Sequence, residues 1–174
     1  MRASVFGGSG VKKGEPDYQM AYEVGKALAK SGFEVVNGGY CGTMEAVSKG
    51  AKEEGGKVTG ILCDIIRIVQ PNEHLTDNIN TPDLFERLRN VTSGMDLFVI
   101  LPGGTGTLTE LMLVQDLMGL GTIQKKPIVM ITDYWKPVLE HVEQKNNILK
   151  KLEVLKFVKG IDEFRDFLEA IKNA

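Results

Sequence analysis

The sequence predicts a three-layer α/β fold with a doubly wound, mostly parallel sheet of six or seven strands, and three observations carry that expectation. Short apolar runs alternate with amphipathic segments from end to end, the pattern of a parallel sheet with helices on its faces. The run from Met95 to Leu101 is almost continuously apolar, as befits a strand covered on both faces. Glycine clusters follow three of the presumed strands: Gly7-Gly8-Ser9-Gly10, Gly38-Gly39-Tyr40-Cys41-Gly42 and Gly103-Gly104-Thr105-Gly106. In a doubly wound, Rossmann-like sheet such turns gather outside the carboxyl ends of the strands, where ligands bind.

The elements follow in order. Residues 3–6 read as the first strand and 16–30 as the first helix, with Pro16 near its start and Gly32 as its stop. Strand 33–37 leads through the second glycine turn into a helix over 43–54, which ends at Gly55-Gly56 before strand 57–62, completing a βαβ unit. The longest connection, 63–80, is a candidate lid, with Ile65 to Val69 a candidate short strand within it. Thr81-Pro82 opens a helix running through Ser93, and after the strand to Leu101 Pro102 stops the chain. A helix over 107–119, a strand over 127–132, a helix over 135–145, an edge strand over 154–158 and a helix over 161–172 complete the chain. No linker, repeat or low-complexity segment interrupts it, so residues 1–174 are expected to form a single domain.

Composition narrows the function classes. A formal charge of -2 gives no electrostatic case for nucleic acid or a membrane surface as partner. Two cysteines, Cys41 and Cys63, are too few for a disulfide framework, and no signal peptide or long apolar span stands out, so a reducing cytoplasm is the expectation. His74 and His141 have no Cys or His at metal-ligand spacing, and neither a metal nor a cofactor is expected. The 20 glycines exceed the roughly 12 of average usage, and the excess sits at strand-to-helix junctions.

Those junctions suggest a phosphate site. Gly103, Gly104 and Gly106 let the backbone present its N–H groups to an anion, the helix that follows adds the partial positive charge of its N-terminus, and Thr105 and Thr107 add hydroxyls. Each turn taken singly also fits simple chain reversal. None spells G-x-G-x-x-G, since Gly8-x-Gly10 is followed by Lys13 and Gly104-x-Gly106 by Thr109. Asn37-Gly38 stands where a ribose-binding acid would end strand two, which disfavours NAD, and no Walker A lysine supports ATP chemistry. Glu110 fits two readings: a carboxylate beside a bound ribose, or the far member of a capping box Thr107-Leu108-Thr109-Glu110. Arg87, from its spacing, is a solvated helix residue or an ion-pair partner of Glu86 or Asp83. Cys41 has no nearby histidine to activate it, so packing suits it better than nucleophilic attack.

Taken together, these residues resemble the LONELY GUY family of cytokinin-activating nucleotide phosphoribohydrolases, many once mislabelled as possible lysine decarboxylases. The family signature P-G-G-x-G-T-x-x-E stands intact from Pro102 to Glu110, and Arg87 matches the arginine of its M-H-x-R-K stretch. The block G-G-G-x-x-G-L-M-G matches residues 37–45 with both end glycines replaced, by Asn37 and by Glu45. The resemblance implies hydrolysis of the N-glycosidic bond of a nucleoside 5'-monophosphate, with Arg87 and Glu110 catalytic. By the same implication Gly8, Ser9, Gly39, Gly42, Met44, Gly103, Gly104, Thr105, Gly106 and Thr107 bind substrate, and the protein is a homodimer or higher homo-oligomer. Phe85 and Leu88 depart from the polar His and Lys of the family stretch. Relatives that act as nucleotide sensors or molybdenum-cofactor carriers on the same fold supply the alternative. Lysine decarboxylation is rejected, because residues 102–119 hold no lysine for a Schiff base beside the phosphate turn.

Overall fold

A computed structural model describes residues 1–66, 69–146 and 155–172. Among the described residues seven strands and six helices follow in order: β1 (Arg2–Phe6), α1 (Pro16–Lys30), β2 (Glu34–Asn37), α2 (Thr43–Glu53), β3 (Val58–Cys63), β4 (Asp77–Thr81), α3 (Leu84–Thr92), β5 (Leu97–Ile100), α4 (Thr105–Gly119), β6 (Ile128–Ile131), α5 (Lys136–Asn146), β7 (Leu155–Val158) and α6 (Ile161–Lys172). The strands lie in the order β4-β3-β2-β1-β5-β6-β7. Every pairing is parallel, so the mostly parallel expectation becomes an all-parallel sheet.

Alternate residues of each strand feed opposite layers. Ala3, Val5, Val35, Val58, Leu97 and Val99 pack with α1, α2 and α6 on one face. Phe6, Val36, Ile61, Phe98 and Ile100 pack with α3, α4 and α5 on the other. The first layer is tight because α1 and α2 cross through glycines. A Cβ on Gly25 would strike the Val47 carbonyl, and one on Gly50 would strike that of Tyr22.

Chain order places the crevice. From β1 the chain winds outward through β2, β3 and β4, then α3 carries it back so that β5 pairs with β1 on the other side, Val5 facing Val99 and Phe6 facing Ile100. The loops leaving β1 and β5 therefore part in opposite directions, which opens a cleft at their carboxyl ends.

Three sequence readings are corrected. The extra strand of the 63–80 connection is β4 rather than Ile65 to Val69: Asp64 and Ile65 form a turn, while residues 67 and 68 lie outside the described residues. β4 reads Asp-Asn-Ile-Asn-Thr and exposes four of its five residues, so an edge position held by backbone pairing to β3 leaves no apolar pattern to read. Thr81 does not open a helix. Its hydroxyl bonds the Leu62 carbonyl at 2.7 Å, and Asp83 is the N-cap of α3, accepting from the Glu86 N–H at 2.8 Å. Helix α4 begins at Thr105, two residues earlier than read, with Gly104 as its N-cap. Residue 154, the expected start of the last strand, lies outside the described residues. No described helix is long and apolar enough to cross a membrane.

Candidate functional site

Loops leaving β1, β2 and β5, together with α2, α3, α4 and the connection after β3, enclose a cleft of about 360 Å³. Its polar wall is Gly7, Gly8 and Ser9 beside Gly104, Thr105, Gly106 and Thr107. No side chain caps α4, and its first helical bond runs from the Leu108 N–H to the Gly104 carbonyl at 3.1 Å. The N–H groups just before Leu108 therefore have no acceptor within the helix. An uncapped helix start that lines a cleft is an anion site.

The loops are sewn together beneath this wall. Gly8 N–H donates to the Pro102 carbonyl at 3.0 Å, and the N–H and hydroxyl of Thr43 both reach the Gly8 carbonyl at 3.0 Å. Asn37 is fully buried and structural: its amide donates to Ser48 at 3.0 Å while its oxygen receives the Gly39 N–H at 2.8 Å.

Opposite, the cleft is apolar apart from two charges. Val5, Phe6, Tyr40, Cys41, Met44, Ile66 and Val69 line it. Arg87 is its cation and Glu110 its carboxylate, each the sole one among the described lining residues. Arg87 does not pair with Asp83 or Glu86. Its Nε donates to the Ile61 carbonyl at 3.0 Å, its Nη2 reaches the Gly38 carbonyl at 3.5 Å, and its guanidinium lies 5.7 Å from the Tyr40 ring centroid. A side chain at Gly38 would meet that guanidinium, so the glycine leaves it room. Glu110 is not part of a capping box. With α4 starting at Thr105, it stands a turn and a half into the helix, where burial pushes its carboxyl up to about 7 against the lowering pull of Arg87.

Of the residues read from sequence, Gly8, Ser9, Met44, Arg87, Gly104, Thr105, Gly106, Thr107 and Glu110 meet in this cleft. Gly39, Gly42 and Gly103 do not line it and instead allow backbones to approach. A Cβ on Gly39 would lie 3.2 Å from the Gly60 Cα, one on Gly42 2.7 Å from that of Ser9, and one on Gly103 2.9 Å from the Gly8 nitrogen. Glu45 turns away to pair with Lys13 at 2.7 Å, and Phe85 is 82% exposed outside the cleft. Tyr40, in the second glycine turn, and Ile66 and Val69, in the connection read as a candidate lid, were not singled out as site residues, since ordinary apolar residues enter a site only through the fold. Cys41, read as a packing residue, lines the cleft with its Sγ 3.4 Å from the Ser9 carbonyl. Among the described residues no group of three or more His, Cys, Asp or Glu side chains is placed to hold a metal ion.

The model of the SLOG cluster4 family matches residues 1–158. A cytokinin riboside 5'-monophosphate phosphoribohydrolase of Rhodococcoides fascians is 31% identical over 145 residues, 80% of this chain and 73% of that protein. A protein of the same name from Mycobacterium tuberculosis is 36% identical over 119 residues, 67% of this chain and 63% of its own length. In structure, the molybdenum cofactor binding protein of Rippkaea orientalis superposes with a TM-score of 0.77 at 22% identity, over 98% of this chain and 96% of that one, a likeness of fold.

Proposed function

This chain belongs to the SLOG cluster4 family, and from that premise we propose that it is a nucleoside 5'-monophosphate phosphoribohydrolase, splitting AMP or a related purine or cytokinin nucleotide into free base and ribose 5-phosphate. The observation that carries the reading is the cleft itself: Arg87 and Glu110 share one cavity with the uncapped start of α4. An enzyme has use for that pair, whereas a protein that only holds a nucleotide needs no more than the glycine turns.

The chemistry divides among these parts. The 5'-phosphate rests on the N–H groups of Gly104 to Thr107 and on the β1 loop at Gly8 and Ser9. As the bond between C1' and the base nitrogen lengthens, positive charge gathers on the ribose and negative charge on the base. The Glu110 carboxylate faces the first and orients the water that attacks C1'; the Arg87 guanidinium, permanently charged, faces the second. The bonding pair leaves with the base, which takes a proton from solvent and departs neutral. The proton released by the attacking water passes to Glu110, whose raised pKa suits it to accept at neutral pH. The apolar wall of Met44, Ile66 and Val69 holds the base. No resident metal or cofactor is needed for this reaction, and we read the protein as a homodimer.

Incubation of the purified protein with AMP and the other nucleoside monophosphates, followed by chromatography, tests the reading. Release of a base together with ribose 5-phosphate is the expected result. Tight nucleotide binding without release would overturn the enzyme in favour of a sensor or carrier.

A further inference from the structure

We infer that Tyr134, at the corner between β6 and α5, is a positioning residue for the phosphate turn: it holds the Gly103 carbonyl outward and so aims the Gly104 amide into the cleft. The inference rests on the phosphate reading given above. Tyr134 Oη donates to the Gly103 carbonyl at 3.0 Å, and the buried Trp135 Nε1 donates to the Leu101 carbonyl at 3.0 Å. The two rings brace each other edge to face, with centroids 4.9 Å apart and an interplanar angle of 84°.

A peptide unit is planar and trans, so its C=O and N–H point in opposite directions. Holding the Gly103 carbonyl therefore fixes the Gly104 N–H. Gly103 and Tyr134 lie in a neighbouring hollow with Gly10 and Glu15, outside the cleft, whereas Gly104 borders both. The Gly104 N–H is thus turned from the hollow toward the cleft. The preceding peptide is pinned the same way, because Gly8 N–H holds the Pro102 carbonyl at 3.0 Å. Gly103 and Gly104 have no Cβ to resist rotation, so an unheld peptide here could turn its carbonyl toward the anion and replace attraction by repulsion.

The corner is itself constrained. Thr132 sits at φ 79°, a left-handed conformation that a β-branched residue adopts only where its surroundings impose it. Its N–H is tied to the Val158 carbonyl at 2.9 Å, its hydroxyl accepts the Tyr134 N–H at 3.3 Å, and Trp135 is 6% exposed in the core. Thr132 turns the chain just before the two adjacent aromatic donors.

The variant Tyr134→Phe removes the hydroxyl and keeps the ring and its contact with Trp135. Titration calorimetry with AMP and with adenosine, beside steady-state kinetics, supplies the test. AMP affinity is expected to fall about fivefold, the worth of one such hydrogen bond, with adenosine affinity and melting temperature unchanged and the kinetic loss carried by KM rather than kcat. Unaltered AMP affinity, or equal weakening of AMP and adenosine, would overturn the inference. Wild-type protein that binds adenosine no less tightly than AMP would overturn the phosphate reading and this inference together, whereas a tight-binding wild type matched by its variant overturns only the latter.

Discussion

At the scale of single residues, Glu110 ties chemistry to stability. Its carboxyl is ionised in the unfolded chain above its ordinary pKa of 4.5 but only above about 7 in the folded protein. Between those values the folded state binds more protons, so stability falls as pH rises through the window and stays low above it. Replacing Glu110 with Gln removes that cost. The variant should match wild type in melting temperature near pH 4, exceed it at pH 8 by the equivalent of about 1–3 kcal/mol, and lose activity by about a hundredfold or more. A Glu110→Gln protein less stable than wild type at pH 8, or fully active, would contradict this. The pH profile of kcat/KM should carry an acid limb near 7, since the carboxylate is the working form. Arg87 lowers the same pKa, so Arg87→Gln should move that limb to higher pH besides slowing the reaction. From spacing alone these two residues were legible only as alternatives, and it was the family resemblance that named them as a pair. The spacing of Thr107 and Glu110 suits a capping box, and nothing short of the real helix start at Thr105 excludes it. Arg87 likewise reads as a surface residue until α3 is laid against β3 and its Nε meets the Ile61 carbonyl.

Whole elements were easier to read where burial leaves a pattern. β1, β2, β3, β5 and β6 carry the apolar runs of strands packed on both faces, and the glycine and proline stops between them are local chemistry. β4 was missed because an exposed edge strand owes its form to a neighbour rather than to its own side chains. The glycines divide in a way the sequence cannot show, some lining the cleft and others letting backbones touch. Gly104, the N-cap of α4, has extended φ and ψ and open space where a Cβ would go. A serine there would cap the very N–H groups assigned to phosphate. Gly104→Ser should therefore raise stability by a few tenths of a kcal/mol while weakening AMP binding, a divergence that melting curves and calorimetry on one variant would reveal. Gly50 is the opposite case. Its Cβ would collide with the Tyr22 carbonyl on α1, so Gly50→Ala should cost about 1–3 kcal/mol by forcing the α1–α2 crossing apart, readable as a lowered denaturation midpoint.

For the molecule as a whole, the side of the sheet that carries α3, α4 and α5 holds the two most exposed large apolar side chains of the described residues, Phe85 and Leu120. α4 reads Thr-Gly-Thr-Leu-Thr-Glu-Leu-Met-Leu-Val-Gln-Asp-Leu-Met-Gly, and only Glu110 and Asp116 are charged. One face of it, Leu111, Val114 and Met118, is buried against the sheet. Leu108 and Met112 are only partly covered, Leu120 just past its end is 80% exposed, and Phe85 and Leu84 on α3 are 82% and 44% exposed. A helix with apolar residues on more than its core-facing side is best covered on both faces, and pairing with a second copy about a two-fold axis is the expectation that follows. Light scattering at micromolar concentration is expected to return twice the chain mass. Leu120→Lys should lower it toward the monomer by placing a charge on the shared face, and a monomeric wild type would remove the idea. The cleft and this face share two helices: α3 supplies Arg87 with Leu84 and Phe85, and α4 supplies Glu110 and ends just before Leu120. Loss of the dimer should therefore be felt in the reaction: Leu120, outside the cleft, becomes a lever on kcat through α4, and a monomeric variant with wild-type kcat would show the site to be complete within one chain.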